Sequence, residues 1–199
     1  MSNDLIEIVE HDSTWSNEFF NIARRIAAST ESIAKRVDHI GSTSVVGLPA
    51  KDRIDIQLSI ESAADFEKVR SCLESIGYTI AEHIMDDHVP PSGPFEKEQW
   101  QKRLFRPPVG HRPTNLHVRI IGAANQRYAL LFRDYLRAHP HAAATYAQVK
   151  EQLAKYHAND AEAYYDVKDP VCDLIMQAAE MWAEKTNWTL PAPDIKIGP

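Results

Sequence analysis

The sequence predicts an α+β protein: a mixed β-sheet with flanking helices, followed by an all-helical part. Three observations carry this prediction. Ile54, Ile56, Leu58 and Ile60 alternate with Asp55, Gln57 and Ser59, the period of a strand with one apolar and one polar face. Around that strand, short strand-like runs are interleaved with residues at helical spacing. From Asn125 onward only helical spacing remains.

Leu5 to Val9 is a short apolar segment. Asp12, Ser13 and Thr14 offer helix caps, and Trp15, Phe19, Ile22 and Ile26 recur at helical spacing, so a helix is expected to about Lys35. Val37 to Ile40 reads as a short strand running into Gly41-Ser42-Thr43-Ser44, ahead of the alternating strand at 54–60. Ser62 opens a helix whose buried stripe is Phe66, Val69, Leu73 and Ile76, with Gly77 as its stop. Tyr78 to Ala81 reads as a further strand. His83 to Gln101 is polar, holds Pro90, Pro91, Gly93 and Pro94, and is expected to be a long surface loop. Leu104–Arg106 and Leu116–Ile121 are two more strands; in the second, His117 and Arg119 share the polar face. Tyr128, Leu131 and Tyr135 mark the first helix of the helical part, and Tyr146, Val149, Leu153 and Tyr156 the second. Asp169-Pro170 reads as the cap and first turn of a third. The divisions expected are an α/β core over 1–122, a helical part over 123–187 and an irregular tail over 188–199.

The chain has 199 residues, 44% of them hydrophobic, with 22 basic and 28 acidic side chains and a net charge of −6. That balance argues against non-specific nucleic-acid binding, which depends on neutralising phosphates. Cys72 and Cys172 are far apart and form no CxxC pair, which suits a reducing cytoplasm and excludes a disulfide framework. No apolar run reaches membrane-span length, and Met1-Ser2-Asn3-Asp4 has none of the features of a leader. A cytoplasmic location and no membrane partner are the expectations.

The chemistry centres on Gly41-Ser42 and Asp55. A Gly-Ser turn can present N–H groups and a hydroxyl to phosphate, and a carboxylate on the adjacent strand can hold a divalent ion against it. Taken alone, the two features also fit a tight turn and a solvent-facing strand residue. Lys51 stands just before the strand, where it could pair with phosphate or simply be exposed. Arg103 shares a face with Phe105 and could line the same cleft as His117. His117 could act as ligand or proton acceptor near neutrality, although a lone strand histidine is more often structural. His83, Asp86, Asp87 and His88 are close in sequence, but their spacing fits no standard zinc motif. The helix tyrosines Tyr128, Tyr135, Tyr146 and Tyr156 are expected in the core.

The run from His39 to Ile56, HIGSTSVVGLPAKDRIDI, resembles the GrpB family pattern H-[IV]-G-S-T-[AS]-V-x-G-L-x-[AS]-K-P-I-I-D-I. Leu116-His117-Val118, the Asp134-Tyr135-Leu136-Arg137 run with Pro140, Tyr165 and Lys168 extend the likeness across roughly Leu5 to Lys185. The resemblance implies a nucleotidyltransferase-like fold of the DNA-polymerase-beta type. Proteins of that kind use a Gly-Ser turn, two acids one residue apart and a third acid to hold divalent metal and a nucleoside triphosphate. It implies phosphate contacts from Gly41, Ser42, Thr43, Ser44 and Lys168, to which Lys51 and Arg103 are added by their positions, and catalytic roles for Asp55 and His117. The metal, Mg²⁺ or Mn²⁺, would fall to Asp55, Gln57 and His117. Gln57 departs from the pattern, because an amide stands where the second acid belongs. Three readings follow: a nucleotidyltransferase of unknown acceptor, a degraded module that binds a nucleotide or phosphorylated metabolite without turnover, and a phosphoester hydrolase with His117 as base. A homodimer stays open.

Overall fold

The computed structural model describes residues 5–198; the first four residues, on which the expectation of no leader rests, lie outside the described residues. Strands β1 (Ala34–Ile40), β2 (Ile54–Ile60), β3 (Thr79–Ile80), β4 (Lys102–Arg106), β5 (Thr114–Ile120) and β6 (Ile195–Lys196) form one mixed sheet in the order β3-β4-β5-β2-β1-β6. Only β2 and β5 run parallel; the other neighbours are antiparallel. Helices α1 (Trp15–Ser29) and α2 (Phe66–Ser75) cover one face through Trp15, Phe19, Ala23, Ile26, Phe66, Val69 and Leu73. Helices α3 (Ala124–Ala138), α4 (Pro140–His157) and α5 (Ala161–Thr186) follow on the other side.

The register sorts the residues between these two sides. Ile54, Ile56, Leu58, Ile60, Leu116, Val118 and Phe105 enter the core under α1 and α2. Gln57 lies beside His117, Asp55 beside Asn115 and Ser59 beside Arg119. Leu104 pairs with His117 and Lys102 with Arg119. The opposite face is therefore polar, and α3 answers it with polar groups. The Gln57 amide donates to the Gln126 carbonyl (3.3 Å), the Gln126 amide to Ser59 (3.3 Å), and Arg133 to the His39 carbonyl (3.0 Å). Burying such groups is tolerable because each has a partner.

Four expectations need correction. Helix α1 stops at Ser29 rather than near Lys35; the Thr30 hydroxyl and N–H both take the Ile26 carbonyl, and β1 begins at Ala34. Asp169-Pro170 does not open a helix. Helix α5 starts nine residues earlier, where the Asp160 carboxylate accepts from the Ala163 N–H (3.0 Å), and Pro170 lies inside it. The 188–199 tail is not irregular throughout, because Ile195–Lys196 pairs with β1 and Ile197 is buried. Tyr156 is exposed, although Tyr146 is core as expected. Among the described residues no helix is long and apolar enough to cross a membrane.

Candidate functional site

β1 ends at Ile40, and the chain turns through Gly41 into a 3-10 turn over Ser42–Ser44. Gly41 has φ +68°, and a Cβ there would sit 2.4 Å from Asp55 Oδ2. The turn thus needs both the left-handed backbone and the missing side chain. Thr43 Oγ1 lies 3.0 Å from His39 Nε2, and the Ser44 hydroxyl donates to the Gly41 carbonyl (2.6 Å). Both residues are buried and lock the turn. Arg137 fixes its far end by donating to the Ser44 carbonyl (2.7 Å). The Ser42 hydroxyl, less buried, accepts from Lys150 Nζ (3.0 Å).

Asp55 accepts from the Asn115 amide (2.6 Å), and its carboxylate lies 3.9 Å from His117 Nε2. Asn115 in turn accepts from Arg106. Burial alone would raise the Asp55 pKa, but His117, the Asn115 amide and Lys51 outweigh it and hold the carboxyl below its usual range. Burial pushes His117 down to about 4, with Arg119 and Lys102 adding to the effect against Asp55. At neutral pH the pair is therefore carboxylate and neutral imidazole. His117 Nδ1 has no hydrogen-bond partner among the described residues.

Gln57 does not extend this pair into a metal cage. It is fully buried, and its carbonyl oxygen accepts from Arg119 (2.7 Å) while its amide nitrogen donates to Gln126. A guanidinium already occupies the oxygen that a cation would need. Arg119 and Lys102 also donate to Asp87 (2.8 and 2.6 Å), and Asn125 joins them (3.0 Å). The protein's own cations thus crowd the polar face beside His117. Among the described residues, no group of three or more His, Cys, Asp or Glu side chains could hold a metal ion. The Gln57 oxygen is taken by Arg119, and Arg119 and Lys102 bring positive charge beside His117, so the residues present do not fit the three-ligand metal centre that the resemblance implies.

Positive charge gathers instead around Tyr165 and Lys150. Lys51 Nζ donates to the Tyr165 hydroxyl (2.5 Å) and sits 4.6 Å from that ring's centre. Lys168 lies 5.5 Å from the same ring and pairs with Asp169 (2.6 Å). Lys150, from α4, donates to Ser42 and to the Pro49 carbonyl. Among the described residues, no carboxylate comes within ion-pair distance of Lys51 or Lys150. Lys150 and Asn115 were not singled out in the sequence. Lys150 had a visible signal: it falls four residues after Tyr146, on the stripe α4 buries.

Arg103 is not part of this site. It pairs in register with Val118, on the apolar face, and its guanidinium lies 4.3 Å from the Phe66 ring centre. It does share a face with Phe105, but that face is the one under α2. Asp52 turns to the α1 side, where it accepts from Trp15 Nε1 (2.8 Å) and pairs with Arg112. The His83–His88 cluster is dispersed: Asp86 faces Lys97, Asp87 goes to Arg119, and His88 bonds Asp173 (2.9 Å).

Two buried imidazoles make an acid-stability prediction. Burial pushes His39, stacked on Phe19, down to about 3, and His117 to about 4. In the unfolded chain both protonate near 6.5. Their stabilising contribution is complete above that value and is lost as pH falls through the window from 6.5 to 3–4. Between pH 7 and 5 each should cost about 2 kcal/mol. Urea unfolding at the two pH values checks this, and equal midpoints would contradict it.

The family model described as GrpB protein matches residues 5–178. The chain belongs to the GrpB family. Among GrpB-related proteins, a UPF0157 protein of Halalkalibacterium halodurans is 34% identical over 89% of this chain and 84% of its own length. A protein named dephospho-CoA kinase from Mycolicibacterium paratuberculosis is 35% identical over 92% of this chain but only 48% of its own length. The chain thus spans about half of that relative and of its similarly named mycobacterial counterparts. The crystal structure of GrpB from Enterococcus faecalis superposes with a TM-score of 0.72 at 27% identity, covering 88% of this chain and 99% of that one. This sequence contains no Gly-x4-Gly-Lys-Ser/Thr loop, the run by which P-loop kinases cradle ATP.

Proposed function

We propose that this GrpB-family protein binds the phosphate groups of a nucleotide or related phosphorylated metabolite beside Ser42, Lys51 and Lys168, without a divalent ion. The observation that carries this reading is the cluster of three lysines, Lys51 and Lys168 at the Tyr165 ring and Lys150 on Ser42; among the described residues neither Lys51 nor Lys150 has a carboxylate at ion-pair distance. The Lys51 ammonium, with no carboxylate to neutralise it, favours an anionic ligand, and Lys150 can add a second positive charge when protonated. The mycobacterial relatives' name, dephospho-CoA kinase, points to a nucleotide-related small molecule for those proteins and supports the same ligand class here. Asp55, at the edge of the cluster, would accept from a donor on the non-phosphate part of the ligand. Tyr165, 41% exposed, offers a ring for stacking.

The test is calorimetric titration of the full chain with ATP, GTP, CTP, UTP and dephospho-CoA. At least one should bind. The Lys51→Ala/Lys168→Ala variant, folded by circular dichroism, should bind it roughly tenfold or more weakly, since each lysine supplies a charge-assisted contact. No binding by the wild-type chain would overturn the proposal.

A second reading, transfer of a nucleotidyl group to a hydroxyl, has one observation in its favour. His117 is neutral at pH 7 and sits beside Asp55, the state a proton acceptor requires. In that case His117→Gln would abolish turnover while leaving nucleotide affinity in place.

A further inference from the structure

We propose that Lys150 takes up a proton when the phosphate site fills, so that anion binding and proton binding at this lysine are coupled. The inference rests on the phosphate site proposed above and adds its regulation by pH.

Lys150 is only 3% exposed, which is rare for a lysine unless a counter-charge is present. Its Nζ donates to the Ser42 hydroxyl (3.0 Å) and the Pro49 carbonyl, and lies 4.9 Å from the Tyr146 ring centre. All these partners are neutral. An ammonium carries three N–H donors, and among the described residues the protein supplies acceptors for two. Once protonated, Lys150 therefore keeps one N–H for a further acceptor beside Ser42.

The charged and titratable groups facing Lys150 come from three directions. Lys51 approaches from the loop before β2, Lys168 and Cys172 from α5, and Tyr146 and Glu151 share its own helix. Lys51 and Lys168 oppose a further positive charge, whereas Cys172 and Glu151 favour it. Burial is the largest influence and lowers the amine to about 7. A bound phosphate oxygen would offer both the missing acceptor and the missing negative charge, and so would raise it.

The sign follows from linkage. Below about pH 7 Lys150 is already charged and binding takes up no proton. Above it the anion must bring a proton in, and affinity falls by up to about tenfold per pH unit until the pKa of the bound state is reached.

Inorganic sulfate is a suitable probe, because it stays a dianion throughout this range and its own titration cannot mimic the effect. The measurement is NMR of the lysine ¹⁵Nζ signals in the labelled full chain, titrated from pH 6 to 9 with and without sodium sulfate. Lys150 should titrate near neutrality alone and shift upward by about one unit or more with sulfate. Sulfate affinity should weaken with rising pH in the wild type but stay flat in Lys150→Arg, whose charge is permanent. Titration of Lys150 in the ordinary lysine range overturns the inference. So does a Lys150 unmoved by sulfate that perturbs Lys51 and Lys168, and in that case the phosphate site itself survives. Sulfate perturbing none of the three lysines would overturn both.

Discussion

Asp87→Ala is expected to destabilise the protein by about 3–5 kcal/mol, the cost of leaving buried charges unpaired. Asp87 comes from the polar 83–101 loop, yet it anchors Arg119, Lys102 and Asn125. The Arg119 and Lys102 side chains are 8% and 11% exposed, so water cannot readily replace the lost carboxylate. Burial works against the Asp87 charge, but Arg119 and Lys102 outweigh it and hold the carboxyl far below the usual range. Its contribution is therefore present above the unfolded value near 4 and is lost as pH falls below it. For a domain of this size the loss corresponds to a melting temperature lower by roughly 6–20 °C. Asp87→Asn keeps some hydrogen bonding and should fall between the two. Calorimetric melting of the three proteins checks the order, and a shift of Asp87→Ala within about 2 °C would contradict the network's role.

Gly41→Ala should damage both stability and the site. At φ +68° a side chain costs about 1–3 kcal/mol from backbone strain alone. The added Cβ would also meet the Asp55 carboxylate at 2.4 Å and its Cβ and Cγ at 2.9 Å, so the strand residue itself, and not only the end of its side chain, would have to move. Gly47→Ala is the matched control: it too has positive φ, +78°, but a Cβ there meets nothing within 4 Å. The difference between the two melting temperatures isolates the clash with Asp55. Nucleotide binding should be lost in Gly41→Ala and kept in Gly47→Ala. Equal effects would mean that the close packing of Gly41 on Asp55 is not what the turn requires.

The parts legible in the sequence were those with a strict local period. The alternation at Ile54–Ile60 and at Leu116–Ile120 put Asp55, Gln57 and His117 on one face, and the register bears this out. By the same period Asp52, three residues before Asp55, falls on the other face, and it does turn to Trp15 and Arg112. Arg103 was misplaced because parity within one strand does not say which face meets the neighbouring strand. That is decided by the pairing of Arg103 with Val118, a contact between residues 15 apart in sequence. Asp87 was hidden for a related reason. Nothing local in a proline-rich loop announces that one carboxylate will cross to β5. Lys150 was the recoverable omission, since a lysine on a buried helical stripe already signals an unusual charge. The α5 start was obscured by Asp169-Pro170, which mimics a cap but stands inside a helix anchored nine residues upstream.

Gln57 is where the resemblance to metal-using nucleotidyltransferases and the local chemistry diverge. In place of a second carboxylate, this chain has an amide bonded to Arg119, and behind it Lys102 and Asp87. The site as built brings fixed cations rather than a set of hard oxygen ligands. The most direct test is titration of the wild-type chain with its best-binding nucleotide, once with Mg²⁺ and once with EDTA. The two affinities should be equal to within about twofold. Binding that appears with Mg²⁺ and vanishes in EDTA would contradict this and restore Asp55, Gln57 and His117 as metal ligands.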